Sequence, residues 1–211
     1  MIIYQRIVTF SAPPQEVMPW ALEITDAVNE RTALNTSLWQ GLSGGPLGTL
    51  AWSSLVENLT AVEAAFDKLA GDSAYLDLVG KARDWVPVPG EDHILRMVHT
   101  AGGDYVRPDV GAYAEGTKAI PAAGKYGKAG EFGVAISDRH SKLTHSSVLF
   151  CSVEYGAFGE MRWLGLYESA AEVDHAAELI AKDDGYRKAL DDAEGLFTEG
   201  LSQRTLARRI A

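Results

Sequence analysis

The stretch LSGGPLGTLAWSSLVE, residues 42–57, is matched without a gap by VEYGAFGEMRWLGLYE, residues 153–168, with five identities. Carried on at the same offset of 111, the pairing gives ten identities in 34 positions between residues 42 and 75, where chance supplies about two. Gly45 pairs with Gly156, Gly48 with Gly159, Trp52 with Trp163, Glu57 with Glu168, Asp72 with Asp183 and Tyr75 with Tyr186. Many mismatches keep side-chain class, as in Leu50 with Met161 and Leu69 with Ile180. Self-similarity on this scale marks a structural unit spelled twice.

Each copy can be read locally. Residues 37–43 and 47–56 are apolar, aromatic-rich runs flanking GGP, a turn signal that predicts a hairpin; residues 146–155 and 159–167 flank GAF in the same way. After Glu57 the apolar period changes from two to about 3.6, with Val62, Ala65, Phe66 and Leu69 on one face, and Val173, Ala176, Ala177 and Ile180 repeat this. Helices should follow both hairpins, and Thr60 with Glu63 and Ser169 with Glu172 have capping-box spacing. Upstream, IIYQRIVTF reads as a strand and residues 14–34 as a helix with an irregularity at Pro19. Downstream, Ser73 to Trp85 reads as a shorter helix and DHILRMVHT, residues 92–100, as a closing strand. The second copy predicts a strand at 111–120, a loop at 121–130, a helix at 130–143, the hairpin, a helix at 170–195 and a strand at 202–210.

The order is βαββαβ, the ferredoxin-like unit, whose helices cover one face of a four-stranded antiparallel sheet. The uncovered face needs a partner, and a second unit on the same chain can supply it. The expectation is an α+β fold of two tandem ferredoxin-like repeats, residues 1–100 and 111–211, joined by a connector at 101–110 and packed sheet to sheet. Closure within one chain, a pseudo-dimer, is favoured by the high effective concentration of the partner; pairing between chains in a homodimer is the alternative.

Composition narrows the function classes. With 46% hydrophobic and 23% charged residues the 211-residue chain should fold. Its formal charge of −10 opposes binding to a phosphate backbone, so no nucleic-acid partner is expected. No apolar run is long enough to span a membrane, and the N-terminus reads as a strand, so a cytoplasmic protein without a membrane partner is expected. The one cysteine, Cys151, lies in the strand-like run SSVLFCSVEY and cannot form an intrachain disulfide. Among the five histidines, His93 and His99 are about 20 Å apart at strand rise and His140 and His145 fall off one helix face. No metal site is expected. The run GKYGKAG lacks the context of a nucleotide-binding loop, and no nucleophile motif is present.

The hairpin carrying Gly45, Gly48, Trp52 and Glu57, the helix after it and the D-x-x-Y of Asp72 to Tyr75 resemble the dimeric α+β barrel superfamily, in pattern its NIPSNAP-like and antibiotic-biosynthesis-monooxygenase-like groups. The resemblance covers both halves, as in a fused tandem version. It implies two sheets packed into a barrel, with chemistries that range from cofactor-free oxygenation of aromatic polyketides to isomerisation and heme binding. In monooxygenase-like members a strand tryptophan, a tyrosine and an arginine contribute to a pocket between sheet and helices. The counterparts here are Trp52 and Trp163, Tyr75 and Tyr186, and Arg96, while Ala51 and Arg162 stand where those members carry an asparagine. What the resemblance implies is a small-molecule enzyme, a cofactor-independent monooxygenase or isomerase of secondary metabolism acting on a small apolar or aromatic molecule. Tyr75, Arg96 and Tyr186 would be its catalytic groups; a non-catalytic binding protein on the same scaffold is the alternative.

Strand alternation puts Leu50, Trp52, Met161 and Trp163 on one face and Thr49, Ala51, Ser53, Glu160 and Arg162 on the other. The tryptophans are either sheet core or the wall of an aromatic pocket. If they pack under the helices, Glu160 and Arg162 face the barrel interior, where charge is costly unless paired or hydrated. Either that interior holds water and a polar ligand, or the strand lies at an open edge.

Overall fold

The alternation of the first strand carries over directly into the computed structural model, which describes residues 1–211. Tyr4, Arg6, Val8 and Phe10 face the helices, and Ile3, Gln5, Ile7 and Thr9 face the opposite side of the sheet. The first half runs β1 (Ile2–Thr9), α1 (Pro14–Arg31), β2 (Ser37–Ser43), β3 (Thr49–Val56), α2 (Leu59–Ala70), α3 (Ser73–Gly80) and β4 (Glu91–Ala101). The second runs β5 (Tyr113–Ala119), α4 (Tyr126–Thr144), β6 (Ser147–Tyr155), β7 (Met161–Tyr167), α5 (Ala170–Lys182), α6 (Asp184–Asp191) and β8 (Gln203–Arg209).

All eight strands pair antiparallel and close a barrel in the order β1-β3-β2-β8-β5-β7-β6-β4. Within each half the order is the ferredoxin-like one, β4-β1-β3-β2 and β8-β5-β7-β6. The halves meet at two seams, β2 with β8, where Trp39 lies opposite Arg209, and β4 with β6, where Leu95 lies opposite Val153. Closure within one chain leaves no unpaired strand edge. The helices pack on the outer faces, and a separate cluster of Ile3, Leu95, Leu149, Cys151 and Val153 fills part of the lumen. Burial pushes the Cys151 thiol up to about 12, so it is inert as a nucleophile near neutrality. No helix is long and apolar enough to cross a membrane.

Several local expectations shift. The Thr60–Glu63 box does not form; Asn58 caps α2 by accepting from the Ala61 N–H at 3.1 Å. At α5 the expected box forms one residue out of register: Ser169 accepts from the Glu172 N–H, and the Glu172 carboxylate accepts from the N–H of Glu168. The α4 helix begins at Tyr126, inside the stretch 121–130 expected to be loop, because its glycines and lysines hide the helical period. The stretch 170–195 splits at Asp183, whose backbone leaves helical space and whose carboxylate accepts from the Tyr186 N–H to start α6. Asp72 starts α3 in the same way through the Tyr75 N–H at 2.8 Å. The repeated D-x-x-Y is thus a helix cap, and each aspartate is also gripped by an arginine from the long helix, Arg31 on Asp72 and Arg139 on Asp183. The repeated Gly48 and Gly159 have a backbone reason as well, with φ of 79° and 77° in the hairpin turns.

Candidate functional site

The helix-facing side chains of β1 and β3 form the floor of a cavity of about 590 Å³ in the first half, and α1, α2 and α3 roof it. Trp52 from β3 and Trp20 from α1 meet edge to face at 6.2 Å, and Phe10 meets Trp20 at 5.5 Å. Both indole N–H groups are satisfied away from the cavity. Trp52 Nε1 donates to Thr25 Oγ1 at 2.8 Å, Thr25 donates on to the Ala21 carbonyl at 2.6 Å, and Trp20 Nε1 donates to the Leu78 carbonyl at 2.8 Å. The tryptophan is therefore both core and cavity wall, with its rings rather than its polar edge offered to a ligand.

One end of the cavity is charged. Arg6 makes a two-pronged pair with Asp92, Nε to Oδ1 and Nη2 to Oδ2, each at 2.7 Å, and its guanidinium lies 6.0 Å from the Phe66 ring centre. Burial works to raise the Asp92 pKa, but Arg6 outweighs it and holds the carboxyl below its usual range. Burial raises both Tyr4 and Tyr75, so these phenols stay protonated near neutrality. The Tyr4 hydroxyl is buried without a hydrogen-bond partner. Tyr75, at the start of α3, lines the cavity beside Val79 and Arg83.

The corresponding space in the second half is filled. Leu38 lies opposite Trp52, whereas Phe150 lies opposite Trp163 and stacks on it, ring centres 5.1 Å apart. The carbonyl bonded by the second tryptophan belongs to Gly133, where the first half has Ala21. A Cβ on Gly133 would sit 2.2 Å from the Phe150 ring, so the missing side chain is what admits the phenylalanine. Further along α4, His140 stands where α1 has Val28, and Tyr167 on β7 stands where β3 has Val56; the two hydrogen-bond at 2.8 Å. Tyr186 packs its edge on His140 at 6.2 Å. Burial lowers the His140 pKa, so the imidazole is neutral. A charge pair also joins the outer strands here, but at other positions: Arg6 lies directly opposite Asp92, whereas Arg204 on β8 lies opposite Thr117 and reaches along β5 to Glu115.

The sequence-derived candidates therefore separate into groups. Trp52 and Tyr75 come together on the open cavity, and Trp163 and Tyr186 sit in the filled half. Arg96 is on neither: it lies on β4 with its side chain half-exposed and forms an ion pair with Glu154 of β6, away from the cavity. Arg6 and Arg83 are the arginines at the cavity, and the signal for Arg6 was present in the parity it shares with Tyr4 and Val8 in IIYQRIVTF. Glu160 and Arg162 are buried in the barrel interior; Arg162 donates from Nε to Glu160 at 2.5 Å and from Nη1 to Gln5 at 2.7 Å. They line or adjoin a second space of about 510 Å³ in the lumen, on the opposite side of the sheet from Trp52. No group of three or more His, Cys, Asp or Glu side chains is arranged to hold a metal ion.

No protein-family model and no curated protein matches the chain. Solved structures do resemble it. A putative monooxygenase from Fusobacterium nucleatum superposes with a TM-score of 0.73 at 7% identity, over 100% of this chain and 92% of that one. An anthrone oxidase-like protein gives 0.70 at 10% identity, over 100% and 91%. A putative monooxygenase from Lactobacillus acidophilus gives 0.65 at 13% identity, over 99% and 93%. At such identities the likeness is one of fold, and with the closed eight-stranded barrel it gives the conclusion that this chain has the fold of the dimeric α+β barrel superfamily, with both sheets supplied by one polypeptide.

Proposed function

We propose that the first half binds a small apolar or aromatic molecule in its helix-side cavity and transforms it without a bound cofactor, as a monooxygenase or isomerase. The observation that carries this reading is the cavity of about 590 Å³ walled by Trp20 and Trp52 and closed at one end by Arg6 and Asp92. Its size and mostly apolar lining suit a small organic ligand, and its aromatic walls suit a flat ring system. Arg6, although paired with Asp92, keeps guanidinium N–H groups that can donate to the oxygen of a bound phenol or enol, and the protonated Tyr75 can donate to a substrate oxygen. An enolate held dry and oriented is the form that reacts with dioxygen or is reprotonated at another carbon. For oxygenation at a ring methylene the balance is CH2 plus O2 giving C=O plus water. The names of the structural neighbours, putative monooxygenases and an anthrone oxidase-like protein, support this reading. In it Trp163 and Tyr186 act as scaffold, and Arg6 takes the role expected of Arg96.

One observation favours the alternative of binding without turnover. The only carboxylate on the cavity is Asp92, both of its oxygens are engaged by Arg6, and no histidine lines the space, so no free general base is at hand. Anthrone is a probe for both readings. Tryptophan fluorescence would report its binding, and oxygen uptake above the uncatalysed rate would report its conversion. Turnover that falls about tenfold or more in Arg6→Met and Tyr75→Phe, with binding lost in the cavity-filling Val28→Phe, is the result expected of the enzyme. Binding without oxygen uptake would point to sequestration, and an unchanged tryptophan signal would remove both readings for this ligand class.

A further inference from the structure

The lumen of the barrel is a separate space. Its mouth region, about 510 Å³, and a deeper region of about 290 Å³ share Gln5, Ala51, Gly116, Leu164, Thr205 and Ala207, so they abut. An eight-stranded barrel is just wide enough to be filled by side chains or to hold one small ligand. Here the small residues Ala51, Gly116 and Ala207 face inward and leave room. No residue lines both this space and the helix-side cavity. Strand alternation explains that, since Gln5 and Ala51 point in where Arg6 and Trp52 point out.

One charge at the mouth, that of Lys118, is unpaired. Lys118 on β5 lies directly across the strand pair from Arg162 on β7, and both line the space. Like charges placed opposite each other in a sheet are destabilising unless something intervenes. The one buried carboxylate nearby, Glu160, is held by Arg162, and Glu91 is mostly exposed and lies 3.3 Å from His93. Lys118 has no carboxylate within ion-pair distance. His93 also lines the mouth, and it is buried with Nδ1 unpartnered. Burial is the main cause that lowers its pKa, with Arg162 adding to the fall and Glu160 and Glu91 opposing it. Beyond the mouth the lining is mixed, with Leu55, Leu149, Leu164 and Leu166 on one part and Trp39, Tyr105, Ser37 and Arg107 on another, Arg107 already donating to Ser37 and to the Thr36 carbonyl.

We propose that the lumen is a second binding site, for an amphipathic carboxylate with its head group between Lys118 and Arg162 and its aliphatic tail among the lumen leucines. The head group relieves the opposed cations with charge-assisted hydrogen bonds, and the tail displaces water from the leucine-lined part of the space. Because the site lies on the other side of the sheet, it stands or falls independently of the helix-side cavity.

Decanoate carrying 13C at its carboxyl carbon is the probe, titrated into the full chain by calorimetry with the carboxyl resonance followed by NMR. The expected result is one decanoate per chain, weakened about tenfold or more by Lys118→Met and for the neutral methyl ester, and abolished by Leu164→Phe, which blocks the junction of the two regions. Circular dichroism and thermal melting check that each variant is folded, and the Lys118 change, at a half-buried position, keeps the test available if Leu164→Phe does not fold. Val28→Phe, which fills the helix-side cavity, should leave decanoate binding unchanged. The proposal is overturned if decanoate does not bind, if Lys118→Met binds it as the parent does, or if Val28→Phe displaces it.

Discussion

The two halves share strand order, hairpins, helix caps and a tryptophan at the same place, yet one half encloses a cavity and the other packs it shut. The difference comes from a few paired positions. Leu38, Ala21, Val28 and Val56 in the first half correspond to Phe150, Gly133, His140 and Tyr167 in the second. Three of these exchanges add ring volume, and the fourth removes a methyl group so that one ring can enter. The lumen faces differ as well, since Ala51 and Thr49 in the first half correspond to Arg162 and Glu160 in the second. A duplicated scaffold can hold its architecture constant while the volume and charge of its spaces diverge.

The contrast in the lumen should be the most costly to break. Glu160→Gln leaves Arg162 buried without its carboxylate and should cost about 3–5 kcal/mol in a urea titration. If Arg162 re-pairs or reaches water, the loss will be far smaller. Next, Gly133→Ala places a methyl group against the Phe150 ring and should cost about 1–3 kcal/mol. The reciprocal Ala21→Gly removes a buried methyl group as well as helix propensity and should cost about 1–2 kcal/mol. Phe150→Leu combined with Gly133→Ala rebuilds the first-half pairing, and its cost should fall short of the sum of the two single changes; strict additivity would show that the two positions are not coupled.

The third test uses pH. The folded-state pKa of His140 is lowered by burial, so the unfolded chain binds the proton more readily. Stability should therefore be constant above the unfolded value of about 6.5 and fall as pH drops below it, until the folded-state pKa is passed. His140→Val, which installs the first-half residue, should flatten this fall in thermal melts. The remaining slope should include a share from His93, whose pKa is also lowered. An unchanged slope would place the acid sensitivity elsewhere. The smallest effect is expected for Arg96→Ala, at an exposed pair off the cavity, with ligand affinity and melting temperature both unchanged.

Much of this architecture was readable because its signals are local. The change of period after Glu57 and Glu168, the turn glycines and the cap at Ser169 each depend on a few neighbouring residues, whereas the caps at Asp72 and Asp183 were not foreseen. What was misplaced depended on finer competition or on distance. Asn58 displaced Thr60 as the α2 cap because only its side chain is placed to receive the Ala61 N–H, and α4 extended through glycines that local propensity disfavours. Arg96 looked like the pocket arginine because it sits on the closing strand. It keeps the parity of Asp92 in the regular pairing of β4 with β1, but it lies opposite Ile2, four residues along the strand from Asp92, where it pairs with Glu154 beyond the end of the cavity, and periodicity does not say where along a strand a cavity ends. Arg6 was within reach of the same parity argument that separated Trp52 from Ala51.

By itself the sequence determined the element order and the two faces of β3 and β7, because periodicity and turn chemistry are properties of short segments. Only the tertiary structure decided that the barrel closes within one chain, that Arg6 rather than Arg96 meets the cavity, and that one half is open and the other filled. Those outcomes depend on volumes and charges summed over residues far apart in the chain. A leucine or a phenylalanine opposite a tryptophan reads as the same kind of strand, and only the space left between sheet and helix tells the two apart.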